Sequence, residues 1–159
     1  MDGMEPRDIQ GVLVAMLPVS DIARSAAFYR DLLGLTYRRE FARDGVVTGC
    51  ALGAPGDAFA VSLRRRDTTP GNADLRAEHP LIFRVPDLAA LDRIHANALR
   101  HGFAPTRGEH ADATYVEVVD PDGICTRFGV ARRPWDTFLG VCVTADGTMT
   151  EYDQPVLEV

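Results

Sequence analysis

Two stretches of this chain, set about 66 residues apart, follow the same plan, and an internal duplication restricts the fold more than any other feature of the sequence. Val12 to Val19 is a strand-like apolar run, and Ser20-Asp21 after it makes a good helix start. Ile22, Ala26, Tyr29 and Leu33 follow at helical spacing, with Phe28 and Leu32 widening the stripe. Gly34 ends that helix, where glycine takes a left-handed backbone at little cost. Leu81 to Val85 is the second apolar run and Pro86-Asp87 the second helix start. Leu88, Leu91, Ile94, Ala98 and Leu99 form the second stripe, and Gly102 is its stop.

After each helix the texture changes to short alternating segments parted by turn residues. In the first half these are Thr36 to Phe41, Val46 to Leu52 and Ala58 to Leu63; in the second they are Phe103 to Arg107, Thr114 to Val119 and Ile124 to Val130. Each half therefore reads strand, helix, strand, strand, strand. The expected fold class is α+β: two tandem βαβββ modules, residues 11–66 and 79–133, forming a concave mixed sheet around a central cavity. Residues 67–78, rich in Thr, Pro, Gly, Asn and Asp, have a linker's composition, and residues 1–10 read as a flexible N-terminus. Residues 134–159 form an extension, in which Ala145-Asp146-Gly147 between Thr137 to Val143 and Thr148 to Tyr152 signals a hairpin.

A chain of 159 residues is long enough to bury a single core. Its net charge of −6 argues against nucleic acid as a partner, because phosphate binding needs a basic face. The basic run Arg64 to Arg66 is followed at once by Asp67 and reads as a solvated strand end. Cys50, Cys125 and Cys142 match no zinc or redox spacing and are expected as reduced thiols. Met1 to Gln10 has no apolar signal-peptide core, and no apolar run approaches the ~18 residues of a membrane span. The expectation is a cytoplasmic protein with neither a nucleic-acid nor a membrane partner.

Pro18-Val19-Ser20-Asp21 with Phe28-Tyr29 and Leu33-Gly34-Leu35, then Phe83-Arg84-Val85-Pro86-Asp87-Leu88, then Asp120-Pro121-Asp122-Gly123, occur in a telling order. Together they resemble the vicinal-oxygen-chelate (glyoxalase/bleomycin-resistance) signature. The resemblance covers Gly11 to about Arg133. It implies a domain in which many enzymes hold one divalent metal with up to four side chains, two from each module. Carried onto this chain, those positions are Val14, Ser62, Pro80 and Arg127. Valine and proline have no donor atoms, serine is a poor ligand and arginine repels cations, so no metal and no other cofactor is expected. His79 adjoins the Pro80 position, but a slip of one residue would turn it to the opposite face of the sheet.

The resemblance also places Val14, Met16, Pro80 and Ile82 along the cavity, although packing is the simpler account of each alone. Arg127 is either an ordinary surface arginine or, as the resemblance implies, a cavity-floor clamp for a carboxylate, phenolate or phosphate. Across the hairpin it can also pair with Glu117, itself either a candidate general base or an outward strand residue. Ser62 would give one hydrogen bond or simply fill space. His110, Glu109 and Asp112 form either a chance metal trio or a solvated loop. Trp135 packs over the cavity or a partner subunit, or it anchors the tail.

From this set we expect a metal-free binding protein that takes a planar aromatic, partly anionic small molecule, as in antibiotic sequestration, and works as a homodimer. The alternatives are a metal-independent isomerase, cyclase or lyase with Glu117 as base and Arg127 as anion holder, and a metal enzyme using relocated ligands from His79, His110 and Glu117.

Overall fold

A computed structural model describes residues 12–110, 113–134 and 138–157. Its elements run β1 (Val14–Val19), α1 (Ile22–Leu33), β2 (Thr36–Arg43), β3 (Val46–Gly53), β4 (Ala60–Arg65), β5 (Leu81–Arg84), α2 (Leu88–Arg100), β6 (Thr106–His110), β7 (Ala113–Val119) and β8 (Cys125–Ala131). A last hairpin joins β9 (Gly140–Val143) to β10 (Met149–Tyr152). The first sheet has the order β1-β4-β3-β2 and the second β5-β8-β7-β6. In each, the first strand pairs in parallel with the last and the other neighbours are antiparallel, so the two βαβββ modules repeat one topology.

Both helices begin where the side chain of an aspartate can accept from the first turn. Asp21 accepts from the Arg24 amide at 3.0 Å and Asp87 from that of Ala90 at 2.7 Å. Gly34 takes the left-handed cap at φ 66°. At the end of α2 the Phe103 amide reaches back to Ala98 O at 2.9 Å, and its ring packs on Phe28 at 4.7 Å. That tie explains why the strand expected from Phe103 starts only at Thr106. Leu88 and Leu99, assigned to the buried stripe, are exposed. The inward face of α2 is centred on Ala90, Leu91, Ile94 and Ala98, and at about 100° per residue both leucines lie roughly 100–125° from it.

One face of each sheet lies under its helix. Leu17, Val19, Cys50, Leu52, Val61 and Leu63 fill the first module, and Val116, Val118, Ile124 and Phe128 the second. The modules meet through the Asp120-Pro121-Asp122-Gly123 turn. Buried Asp120 accepts from Tyr29 Oη at 2.8 Å, the Asp122 amide at 2.8 Å and the Ile124 amide at 2.9 Å. Burial pushes both the Asp120 carboxyl and the Tyr29 phenol up, so the phenol remains a proton donor. Asp122 accepts from the Ser20 amide at 3.0 Å and from Arg66 at 3.2 Å. Arg66 is therefore no solvated strand end: the second module's turn carries the carboxylate that neutralises it.

The opposite face of each sheet is open. It carries Val14, Met16 and Ser62 on the first sheet and Ile82, Tyr115, Glu117 and Arg127 on the second, in step with the two-residue period of the strands. Among the described residues no helix is long and apolar enough to cross a membrane.

Candidate functional site

The register of β7 and β8 sets Glu117 directly opposite Arg127 and Tyr115 opposite Gly129. Cross-strand neighbours on one face are close enough for long side chains to interact. Arg127 donates to Glu117 Oε2 through Nε at 3.1 Å and Nη2 at 2.9 Å, and its guanidinium carbon lies 4.3 Å from the centre of the Tyr115 ring. The Tyr115 ring lies across β6 at Gly108, where a Cβ would stand 2.4 Å from the phenol oxygen. Only glycine leaves that path open.

His79 completes the cluster. The Cys125 amide donates to Glu78 O at 2.9 Å and the Ala77 amide to Gly123 O at 2.8 Å, fixing the segment that enters β5 against the β7–β8 turn. His79 Nε2 then lies 2.6 Å from Glu117 Oε2 and 3.0 Å from Arg127 Nη2. The expectation that His79 would face the other way is corrected: it precedes the first residue of β5, where strand alternation does not apply. A nitrogen cannot both donate to Glu117 and accept from Arg127. The shorter contact identifies Nε2–H as the donor to Glu117, leaving the arginine nitrogen merely adjacent.

Burial alone would raise the pKa of Glu117, but hydrogen bonds from Arg127 and His79 outweigh it and hold the carboxyl below its ordinary 4.5. Burial, followed by the charge of Glu117, pushes the neighbouring Cys125 thiol up, so it stays protonated and poorly nucleophilic. Because the unfolded chain takes up the Glu117 proton first on acidification, this carboxylate's stabilisation is complete above about 4.5 and disappears as pH falls through the folded value. The stability gap between wild type and Glu117→Gln should narrow as unfolding is measured from neutral pH down past that point. A gap that stays constant or widens would show that Glu117 is not held ionised by these partners.

Above Arg127 opens a cleft of about 780 Å³ between the second sheet and the C-terminal hairpin. Ile82, Arg84, Arg127 and Gly129 form its floor, and Phe138, Leu139, Val141 and Met149 its far wall. Arg133 at its rim pairs with Glu151 at 2.6 Å, whereas among the described residues Arg84 has no carboxylate partner. A second depression of about 600 Å³, between α1 and β2–β3, contains neither Arg127 nor any of its partners. The cleft is the better candidate site.

A family model for the Glyoxalase/Bleomycin resistance protein/Dioxygenase superfamily matches residues 11–128. This chain belongs to that superfamily. The superfamily member's fold is shared with TnmS3, an antibiotic binding protein from Streptomyces sp. CB03234, at 21% identity and a TM-score of 0.58 over 77% of this chain and 97% of that one. It is shared too with lactoylglutathione lyase from Agrobacterium tumefaciens, at 18% identity and a TM-score of 0.61 over 77% and 94%. A superfamily protein from Sphaerobacter thermophilus aligns at 18% identity and a TM-score of 0.62 over 77% and 98%. No curated protein matches the sequence.

The metal that many enzymes of this superfamily hold does not fit the corresponding residues here. Val14 and Pro80 offer no donor, Ser62 is a poor ligand whose buried hydroxyl has no hydrogen-bond partner among the described residues, and Arg127 is a cation. Val14, Met16 and Ser62 lie on the first sheet, outside the lining of the cleft, and Pro80 is exposed beside it; Ile82 and Arg127 are in the lining. Trp135 and Asp112 lie outside the described residues. Glu109 sits on β6, paired with Arg132 at 2.6 Å, and His110 packs on Tyr115 with ring centres 5.3 Å apart. Sequence reading joined His79 with Glu117 only as relocated ligands in its third alternative, and it missed Cys125 beside them, the platform of Tyr115, and Arg84. The last two follow from alternation along strands already identified, Tyr115 with Glu117 and Arg84 with Ile82.

Proposed function

We propose that this protein binds, without metal, a planar aromatic small molecule bearing an acidic group, and that its role is sequestration of such a compound, an antibiotic or related natural product. The observation that carries the reading is Arg127 on the floor of an otherwise largely apolar cleft of about 780 Å³. Glu117 occupies the Nε–Nη2 edge of the guanidinium and leaves Nη1 for an anion. Ile82, Phe138, Leu139 and Val141 supply the apolar area that a flat ring would cover. The fold likeness to TnmS3, described as antibiotic binding, supports the same reading. The enzymatic alternative is less well supported: a carboxylate whose pKa is held down by two donors makes Glu117 a weak base.

Titration calorimetry with naphthoate and with uncharged naphthamide tests this reading. The acid should bind at least tenfold more tightly, about 1.4 kcal/mol. Equal affinities, no binding of either, or chemical conversion of a bound compound would each overturn it.

We further propose a cytoplasmic homodimer. The free thiols Cys50, Cys125 and Cys142 support a reducing compartment. The edge position of β1 and the exposure of Leu13 and Met16 on it and just before it support pairing with a second copy, the partner in which Val14 and Met16 would find cover. Light scattering at tens of micromolar should give twice the chain mass; the mass of one chain would contradict the dimer.

A further inference from the structure

His79, Glu117 and Cys125 offer a nitrogen, a carboxylate oxygen and a sulfur that all lie within 4.8 Å of one another. None of the three stands at the position that the superfamily resemblance assigns to a ligand. His79 precedes Pro80 by one residue, Glu117 is on β7, and Cys125 lies two residues before Arg127 on β8. Three protein donors of these types with one open position are what a zinc or cobalt ion accepts. The Arg127 guanidinium blocks that outcome. Its Nη2 lies 2.9 Å from Glu117 Oε2 and 3.0 Å from His79 Nε2, in the space an ion bonded to both would fill.

We propose that Arg127 serves as the resident cation of this donor set, and that without it His79, Glu117 and Cys125 become a binding site for a borderline divalent ion such as Zn²⁺ or Co²⁺. The charge requirement is the same in both cases: one partly buried carboxylate needs a positive partner, and the guanidinium supplies it from within the chain. A metal and a guanidinium at about 3 Å would repel strongly in this half-buried setting, so occupancy is exclusive. The His79–Glu117 edge of the site needs little rearrangement. Tetrahedral ligands at about 2.0 Å from an ion stand roughly 3.3 Å apart, so the 2.6 Å His79–Glu117 contact must open by under an ångström. His79 is on the irregular segment before β5, which can yield by that much. Metal binding would also draw the proton from Cys125, whose thiol is otherwise kept neutral by its surroundings.

The inference rests on the geometry of the cluster and holds whatever organic ligand fills the cleft. Wild type, Arg127→Ala and Arg127→Leu are dialysed against Co²⁺, and their metal content and absorption spectra are recorded. Both variants should take up one cobalt per chain, with visible d–d bands and a near-ultraviolet thiolate-to-cobalt charge-transfer band. Adding Cys125→Ser to Arg127→Ala should abolish that band. Wild type should bind at least a hundredfold more weakly. Cobalt uptake by wild type as tight as by the variants, or no uptake by variants whose circular dichroism is native, overturns the proposal. Tight cobalt binding by wild type with a thiolate band refutes exclusion by Arg127 whether or not the variants keep the native fold. The naphthoate titration on wild type is a separate measurement, so failure of the ligand reading and failure of this one are told apart.

Discussion

Replacing Arg127 by methionine should weaken binding of an acidic aromatic ligand by roughly 2–5 kcal/mol, the usual cost of breaking a partly buried charge pair. Methionine keeps much of the volume against the Tyr115 ring and removes only the charge, so the floor of the cleft survives. Neutral analogues should lose far less, because their contacts are with Ile82, Phe138 and Val141. The contrast between acid and amide, measured by calorimetry on both proteins, is the informative quantity. If the variant binds naphthoate and naphthamide as wild type does, the anion sits elsewhere, with Arg84 in the same lining the next place to look.

Asp120→Ala should lower the unfolding free energy by about 3–5 kcal/mol, more than any change confined to the cleft. The substitution strands the Tyr29 hydroxyl and the Ile124 and Asp122 amides, all of which donate to that carboxylate. Each buried donor left without an acceptor costs about 1–3 kcal/mol. Tyr29→Phe leaves Asp120 with its two amide donors and should cost about 1–2 kcal/mol. Against a total stability of about 5–15 kcal/mol, the first change is severe and the second tolerable. Urea unfolding of the two variants gives the order directly, and a milder effect for Asp120→Ala than for Tyr29→Phe would refute this account of the junction.

The repeat was legible because each element carried its own local signal. Asp21 and Asp87 were readable as caps and Gly34 and Gly102 as stops, whereas the facing of Glu117 stayed open until its register with Arg127 was seen. What escaped depended on groups brought together from far apart in the chain. Arg66 looked solvated because its partner Asp122 is 56 residues away. His79 looked misdirected because periodicity was extended past the end of a strand, into a segment whose course is set by the Glu78 and Gly123 carbonyls. Leu88 and Leu99 fit a helical stripe by spacing alone, yet the inward face was decided by Ala90 and Ala98, small residues that a hydrophobic count undervalues. The cleft's far wall was hidden for a similar reason: the hairpin was evident, but nothing local to it says where it docks.

The C-terminal hairpin bears on how long a captured molecule stays. Among the described residues one ion pair, Arg133 with Glu151, ties it to the chain leaving β8, and both partners are more than 40% exposed. Such a pair holds weakly in salt. An occupant of the cleft would supply the apolar contact that Val141 and Met149 lack when it is empty, turning guest and hairpin into one packed unit. Escape then requires peeling the hairpin away together with breaking the grip of Arg127, which lengthens residence time without slowing entry. On the proposed sequestration reading, dwell time is the quantity that matters.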